Sequence, residues 1–207
     1  MTITNGYCTL ADVKHANRLN IASSDSGADD MLESIIEAVS RSIDDKCNRH
    51  FYIDTEARSK YYTAKDGDYL FVDEIGCTDS DVSIAIDNDG NGVTDISFSD
   101  SDFNLVPYDA NVDNLPYQKI EISAVGRYAF PAGVRKGVKV TAKFGWPAVP
   151  EPIKEACRLQ SERIFKRGAT PIGTESMSAF GRQTLSIPSL DPDVESLISR
   201  YKKVIFG

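Results

Sequence analysis

The stretch Asp29-Asp30-Met31-Leu32-Glu33-Ser34-Ile35-Ile36-Glu37-Ala38-Val39-Ser40-Arg41-Ser42-Ile43-Asp44-Asp45-Lys46-Cys47 decides how the chain is read. Met31, Leu32, Ile35, Ile36, Val39, Ile43 and Cys47 recur at three- and four-residue spacing. They make one apolar stripe, the pattern of an amphipathic helix spanning 28–49. Asp29, Asp30 and Glu33 near its start and Arg41, Lys46 and Arg49 near its end complement the helix dipole. Such a helix gains most of its stability from packing, so the stripe requires a partner.

The partner is expected far downstream. Pro152 suits a first helical turn, and Ile153, Ala156, Cys157, Gln160, Ile164 and Phe165 define the inner face of a helix over 152–167. Two shorter helices flank these. Thr9 and Asp12 mark the start of one over 9–19. Asp191 as cap and Pro192 at the first position open another over 191–203, with Val194, Leu197, Ile198 and Tyr201 on its apolar side.

Between the helical segments the period changes to two. Lys60–Thr63, Tyr69–Val72, Val82–Ile86, Ile120–Ile122 and Val138–Phe144 are rich in β-branched and aromatic residues. Gly67, Asn88 to Gly92 and Ala132-Gly133 supply turns. The expected fold class is therefore α+β. A helical core (1–50 and 145–207) is interrupted by an antiparallel β-subdomain (51–144) of five to seven short strands. Residues 168–188, poor in large apolar side chains, read as an arm.

The 207 residues carry a formal net charge of −8. Residues 1–50 contribute −3 (5 basic, 8 acidic), residues 51–120 contribute −11 (4 and 15) and residues 121–207 contribute +6 (14 and 8). Such asymmetry concerns fields and neighbours rather than fold. No apolar run approaches the ~20 residues of a membrane span, and the first residues lack the pattern of a signal peptide, so a protein made in a cytoplasm is expected. Cys8, Cys47, Cys77 and Cys157 are too dispersed for a zinc site and are expected as free thiols.

Catalytic chemistry finds no support. There is no G-x-S-x-G elbow, phosphate-binding loop or dinucleotide fingerprint, and His15 and His50 read as satisfied or solvated. Asp87-Asn88-Asp89-Gly90-Asn91-Gly92-Val93-Thr94-Asp95 approaches a calcium loop. Its twelfth position is Phe98, where a bidentate Glu is needed, and flanking strands make it a hairpin turn. A calcium-dependent surface- or carbohydrate-binding β module is the alternative this loop raises. The basic turn Gly133-Val134-Arg135-Lys136-Gly137 reads as a solvated hairpin tip. No cofactor and no metal ligand set is expected.

Three stretches together resemble the head–tail connector (adaptor, or head-completion) proteins of long-tailed bacteriophages: Tyr7 to Lys14; Ile35 to Asp44 continuing to Cys47-Asn48-Arg49-His50-Phe51; and Phe144-Gly145-Trp146-Pro147-Ala148-Val149-Pro150-Glu151-Pro152-Ile153-Lys154-Glu155-Ala156-Cys157. Leu190-Asp191-Pro192-Asp193-Val194 also looks like that family's C-terminal segment. The resemblance covers the helical ends and matches the middle only in kind.

It implies a non-enzymatic virion subunit, assembled in the bacterial host's cytoplasm and located in the neck. Family members form a ring, commonly of about twelve copies, beneath the portal protein. The ring extends the DNA channel without sequence-specific binding and offers a platform to a stopper or tail-completion protein. Arg163, Lys166, Arg167 and Arg182 are the expected contacts with the portal or a neighbouring subunit.

Overall fold

The computed structural model describes residues 3–15, 19, 21, 26–168, 177–178, 181–182 and 190–203. In chain order its elements are α1 (Leu10–His15), α2 (Asp29–Cys47), β1 (Arg58–Tyr62), β2 (Tyr69–Ile75), β3 (Ser83–Ile86), β4 (Ile96–Ser97), β5 (Phe103–Val106), α3 (Ala110–Asp113), β6 (Tyr117–Ile122), β7 (Val138–Ala142), α4 (Glu151–Gly168), β8 (Met177–Ser178), β9 (Gly181–Arg182) and α5 (Pro192–Ile198). The fold is α+β, as expected. The chain divides into two compact units: Met1–Arg49 with Val149–Gly207, and His50–Ala148.

In the helical unit, α2 packs on α4, α4 on α5, and α1 on both α2 and α4. The buried line of α2 is Leu32, Ile36, Val39, Ser40, Ile43 and Cys47. Met31 departs from the sequence reading: it is 49% exposed. It sits one residue off the line that Leu32 and Ile36 begin, and a helix turns about 100° per residue. Ser40 takes a core place because its hydroxyl is satisfied locally, donating to the Ile36 carbonyl at 2.7 Å and accepting from the Tyr7 amide at 3.0 Å.

Helix ends follow capping rules. Thr9 Oγ1 accepts from the Asp12 amide (3.1 Å), and the Asp12 carboxylate accepts from the Thr9 amide (2.8 Å) and hydroxyl (2.7 Å). This reciprocal box starts α1. The expected continuation to Leu19 crosses residues 16–18, outside the described residues, and Leu19 itself is in a turn. Asn48 ends α2 in the left-handed conformation, φ 52°, which Asn tolerates better than most residues. Asp191 caps α5 by accepting from the Asp193 amide at 3.0 Å, with Pro192 in the first turn. The segment read as an arm lies largely outside the described residues. Within it, β8 and β9 pair antiparallel.

The β unit holds two antiparallel sheets, ordered β1-β7-β3-β4 and β2-β6-β5. Alternation buries Ile84, Ile86, Val138, Val140 and Ala142 from the first and Leu70, Phe103, Leu105 and Ile120 from the second, in one cluster with Phe130 and Phe144. Each fully buried side chain of this size is worth about 1.5–3 kcal/mol. All five expected strand regions are strands. The sequence reading missed β4 and β5, which fall in the most acidic stretch and are only two and four residues long.

β2 does a second task. Its register against β6 shifts between Phe71 and Ile75, and Ile75 then bridges to Phe144. Extra residues on one strand bend it. The bend brings the end of β2 to the outgoing segment, where Gly76 donates to the Lys143 carbonyl (3.0 Å) and Gly145 to the Glu74 carbonyl (2.8 Å). The incoming segment closes the same knot: Ile53 bridges to Gly145, and the Asp54 amide donates to the Phe144 carbonyl at 2.8 Å. The two ends of the inserted unit are therefore tied to each other.

One turn carries a testable acid sensitivity. Asp102 is buried and accepts from the Ser99 hydroxyl (2.5 Å) and amide (2.9 Å) and from the Arg127 amide (3.1 Å). The Ser99 bonds, led by the hydroxyl, hold its carboxyl below the ordinary value against the pull of burial. The folded state therefore binds this proton less readily than the unfolded chain, whose Asp titrates near 3.9. The stabilisation is complete above about pH 4 and drains as pH falls through the lower folded value. Urea midpoints at pH 7 and pH 3 should show a larger acid loss for the wild type than for Asp102→Asn, which starts lower at pH 7.

Candidate docking surfaces

Among the described residues no group of three His, Cys, Asp or Glu side chains gathers as a metal ion requires, and no helix is long and apolar enough to cross a membrane. The calcium-like loop links β3 to β4, and its leading carboxylate serves the backbone. Asp87 accepts from the amides of Gly90 (2.7 Å), Gly92 (2.7 Å) and Asn91 (3.2 Å). Burial raises this carboxyl, and those amides outweigh it, so the net shift is downward. Gly90 and Gly92 have φ of 76° and 87°, which is what a turn of this kind asks of glycine. His50 is half-buried, its ring 4.7 Å from that of Tyr52.

The four expected contact residues fare differently. Arg163 is half-buried on α4 and engages α5: it pairs with Asp191 and, at 3.0 Å, with Asp193. It holds two helices of its own chain together. Lys166 and Arg167 are exposed in the last turn of α4, with Arg167 Nε donating to the Arg163 carbonyl at 3.4 Å. Arg182 lies in β9, and its side chain is outside the described residues. Gln160, only 2% exposed, accepts from the Asp191 amide at 3.3 Å. The α4–α5 corner is thus a polar joint ending in two exposed cations.

The sequence reading missed a second surface. The outer face of the β2-β6-β5 sheet carries Phe71 and Tyr69, 69% and 39% exposed, beside Lys119 and Glu121. Tyr108, 67% exposed, follows β5 and donates to Glu121 at 2.7 Å. The rings of Tyr69 and Phe71 meet edge to face, with centroids 5.5 Å apart, and Lys119 Nζ lies 5.8 Å from the Tyr69 ring while pairing with Glu121. The signal was present: Tyr69 and Phe71 are two apart, so both must face away from buried Leu70.

This aromatic face is neutral, because its lysine and glutamate pair. It sits on a unit that carries 9 basic and 16 acidic residues, net −7. The helical unit, with 14 basic and 15 acidic, is nearly neutral at −1. The charge division along the sequence therefore does not follow the division into units.

A helical body interrupted by an antiparallel β unit is the class this fold defines. A chain in the neck of an empty gene transfer agent (GTA) particle, computed with C6 symmetry, shares that fold with a TM-score of 0.54 at 17% identity, covering 100% of this chain and 94% of that one. A chain in the virion of the native GTA particle gives 0.50 at 18% identity, with the same coverage. No protein-family model and no curated protein matches the sequence.

Proposed function

We propose that this protein is a structural subunit of the neck of a phage-like particle, without enzymatic activity. In this reading it forms a ring between the portal protein and the tail or stopper, extends the DNA channel and completes the head for tail attachment. The observation that carries the proposal is the full-length fold likeness to chains of a gene transfer agent particle, which spans both units rather than the helical body alone.

The helical unit is the connector body in this proposal. Its exposed Lys166 and Arg167, with Arg182, meet the portal or a neighbouring copy, while Arg163 sets the corner that presents them. The β unit is an attachment whose exposed aromatics meet another particle component. Interface centres are enriched in such rings and depleted in unpaired charge. The net negative charge suits a channel past which DNA slides, since phosphates are repelled rather than held.

Mass spectrometry of purified particles tests the reading. The protein is expected at a fixed stoichiometry near that of the portal, and its absence from the particles overturns the proposal. Particles made without it should hold DNA poorly or fail to join tails. Phe71→Ala with Tyr108→Ala should leave stability within about 0.5 kcal/mol per site, as exposed positions do, yet lower incorporation into particles by at least about tenfold if that face docks.

A further inference from the structure

The helical core holds a pair of thiols where apolar packing alone would serve. Cys8, in the segment leading into α1, and Cys157, midway along α4, are both buried, at 6% and 0% exposure, and their sulfurs are 3.4 Å apart. They lie 149 residues apart in sequence. The pair sits in a polar pocket: Ser40 Oγ is 3.4 Å from Cys157 Sγ, and the same hydroxyl accepts from the Tyr7 amide beside Cys8. The segment is fixed against α2, with the Tyr7 hydroxyl on Asp44 and Arg41 donating to the Asn5 carbonyl at 3.1 Å. Cys47 and Cys77 are placed differently. Cys47 faces the Ile198 carbonyl at 3.9 Å, and Cys77 accepts from the Lys143 amide at 3.4 Å.

We propose that Cys8 and Cys157 are a redox pair that closes to a disulfide when the protein meets an oxidising medium, fastening the N-terminal segment to α4. The oxidant is a small-molecule disulfide such as glutathione disulfide. One protein thiolate attacks it, forming a mixed disulfide and releasing one glutathione thiolate. The second protein thiolate then expels the other glutathione and forms the Sγ–Sγ bond. The two thiol protons and two electrons pass to the oxidant, which leaves as two glutathione molecules.

The surroundings favour a division of labour. The hydrogen bond from Cys8 lowers Cys157 against the opposing effect of burial. That same bond, with burial, raises Cys8. Cys157 is thus the more acidic of the two thiols, and Cys8 donates the proton that lies between them. Closure needs the sulfurs to move from 3.4 Å to about 2.05 Å. The link would enclose most of the chain, including the whole β unit, and long loops gain most from closure.

The test uses the purified, fully reduced chain incubated with glutathione disulfide at pH 8. Alkylation under denaturing conditions should then find two of the four thiols lost, and a non-reducing peptide map should show Cys8 joined to Cys157. Thermal unfolding should rise by at least about 5 °C and return on adding dithiothreitol. Cys8→Ser should abolish both the linked peptide and the rise, with Cys47 and Cys77 still reduced. Four reactive thiols after oxidation, a different linked pair, or a Cys8–Cys157 link without a change in Tm would each overturn the proposal.

Discussion

Replacing Gly145 by alanine is expected to unfold the inserted β unit, at a cost above about 4 kcal/mol. Gly145 has φ of 113°, a region L-residues rarely enter. A Cβ there would overlap the Tyr52 carbonyl oxygen and come within 2.9 Å of His50 Nε2. The nearest atom is backbone, so no side-chain rotation relieves the clash. The residue is also where the incoming segment, the outgoing segment and the end of β2 are joined, through the bridge to Ile53 and the bond to the Glu74 carbonyl. Gly133→Ala is the control. Its φ of 83° is equally left-handed, but nothing lies within 4 Å of the added carbon, so only the conformational cost of roughly 1–2 kcal/mol applies. Hydrogen exchange of β1, β3 and β7 amides, with urea unfolding of both variants, checks the contrast. Equal losses at the two sites would refute the steric account.

Removing Arg158 should be the most damaging single change of charge in the helical unit. Arg158 sits on α4 between Glu155, to which its Nε donates at 2.8 Å, and Glu162 one turn further on. The Glu162 side chain is 3% exposed, that of Glu155 44%. The exposed partner contributes at most about 1 kcal/mol. The buried one is different, because its carboxylate loses water on folding and the guanidinium replaces it. Arg158→Ala leaves that charge stranded and should cost about 3 kcal/mol. Adding Glu162→Gln should recover most of the loss, since the neutral amide no longer needs a counter-charge. A double-mutant cycle by chemical unfolding measures this. An Arg158→Ala variant no less stable than wild type would show that water reaches Glu162.

Much of the fold was legible because periodicity is a local property. The spacing from Leu32 to Cys47 and the alternation in Val138–Ala142 each state which face is apolar, and burial follows them. Caps are local too, so Thr9 with Asp12 and Asp191 with Pro192 fall where the sequence places them. β4 escaped because two residues carry no period. Arg163 was read as a contact for another molecule. It sits on the outer side of α4, and only the return of Asp191 and Asp193 in α5 turns it inward.

By itself, the sequence determined the class of fold, the helix caps, the change of period that separates helices from strands, and the absence of a recognised catalytic motif. Tertiary structure alone decided which residues far apart in the chain share a site. Gly145 reads as one residue of the Phe144 to Cys157 stretch until the Tyr52 carbonyl comes close against it. Cys8 and Cys157 read as dispersed thiols until α4 is laid beside the N-terminal segment. Phe71 reads as one residue of a strand until the burial of Leu70 fixes the inner face and leaves it outside. The physical reason is the same in each case: hydrogen-bond period and side-chain alternation are set by neighbours along the chain, whereas close approach, charge pairing and exposure are set by what folding brings next to them.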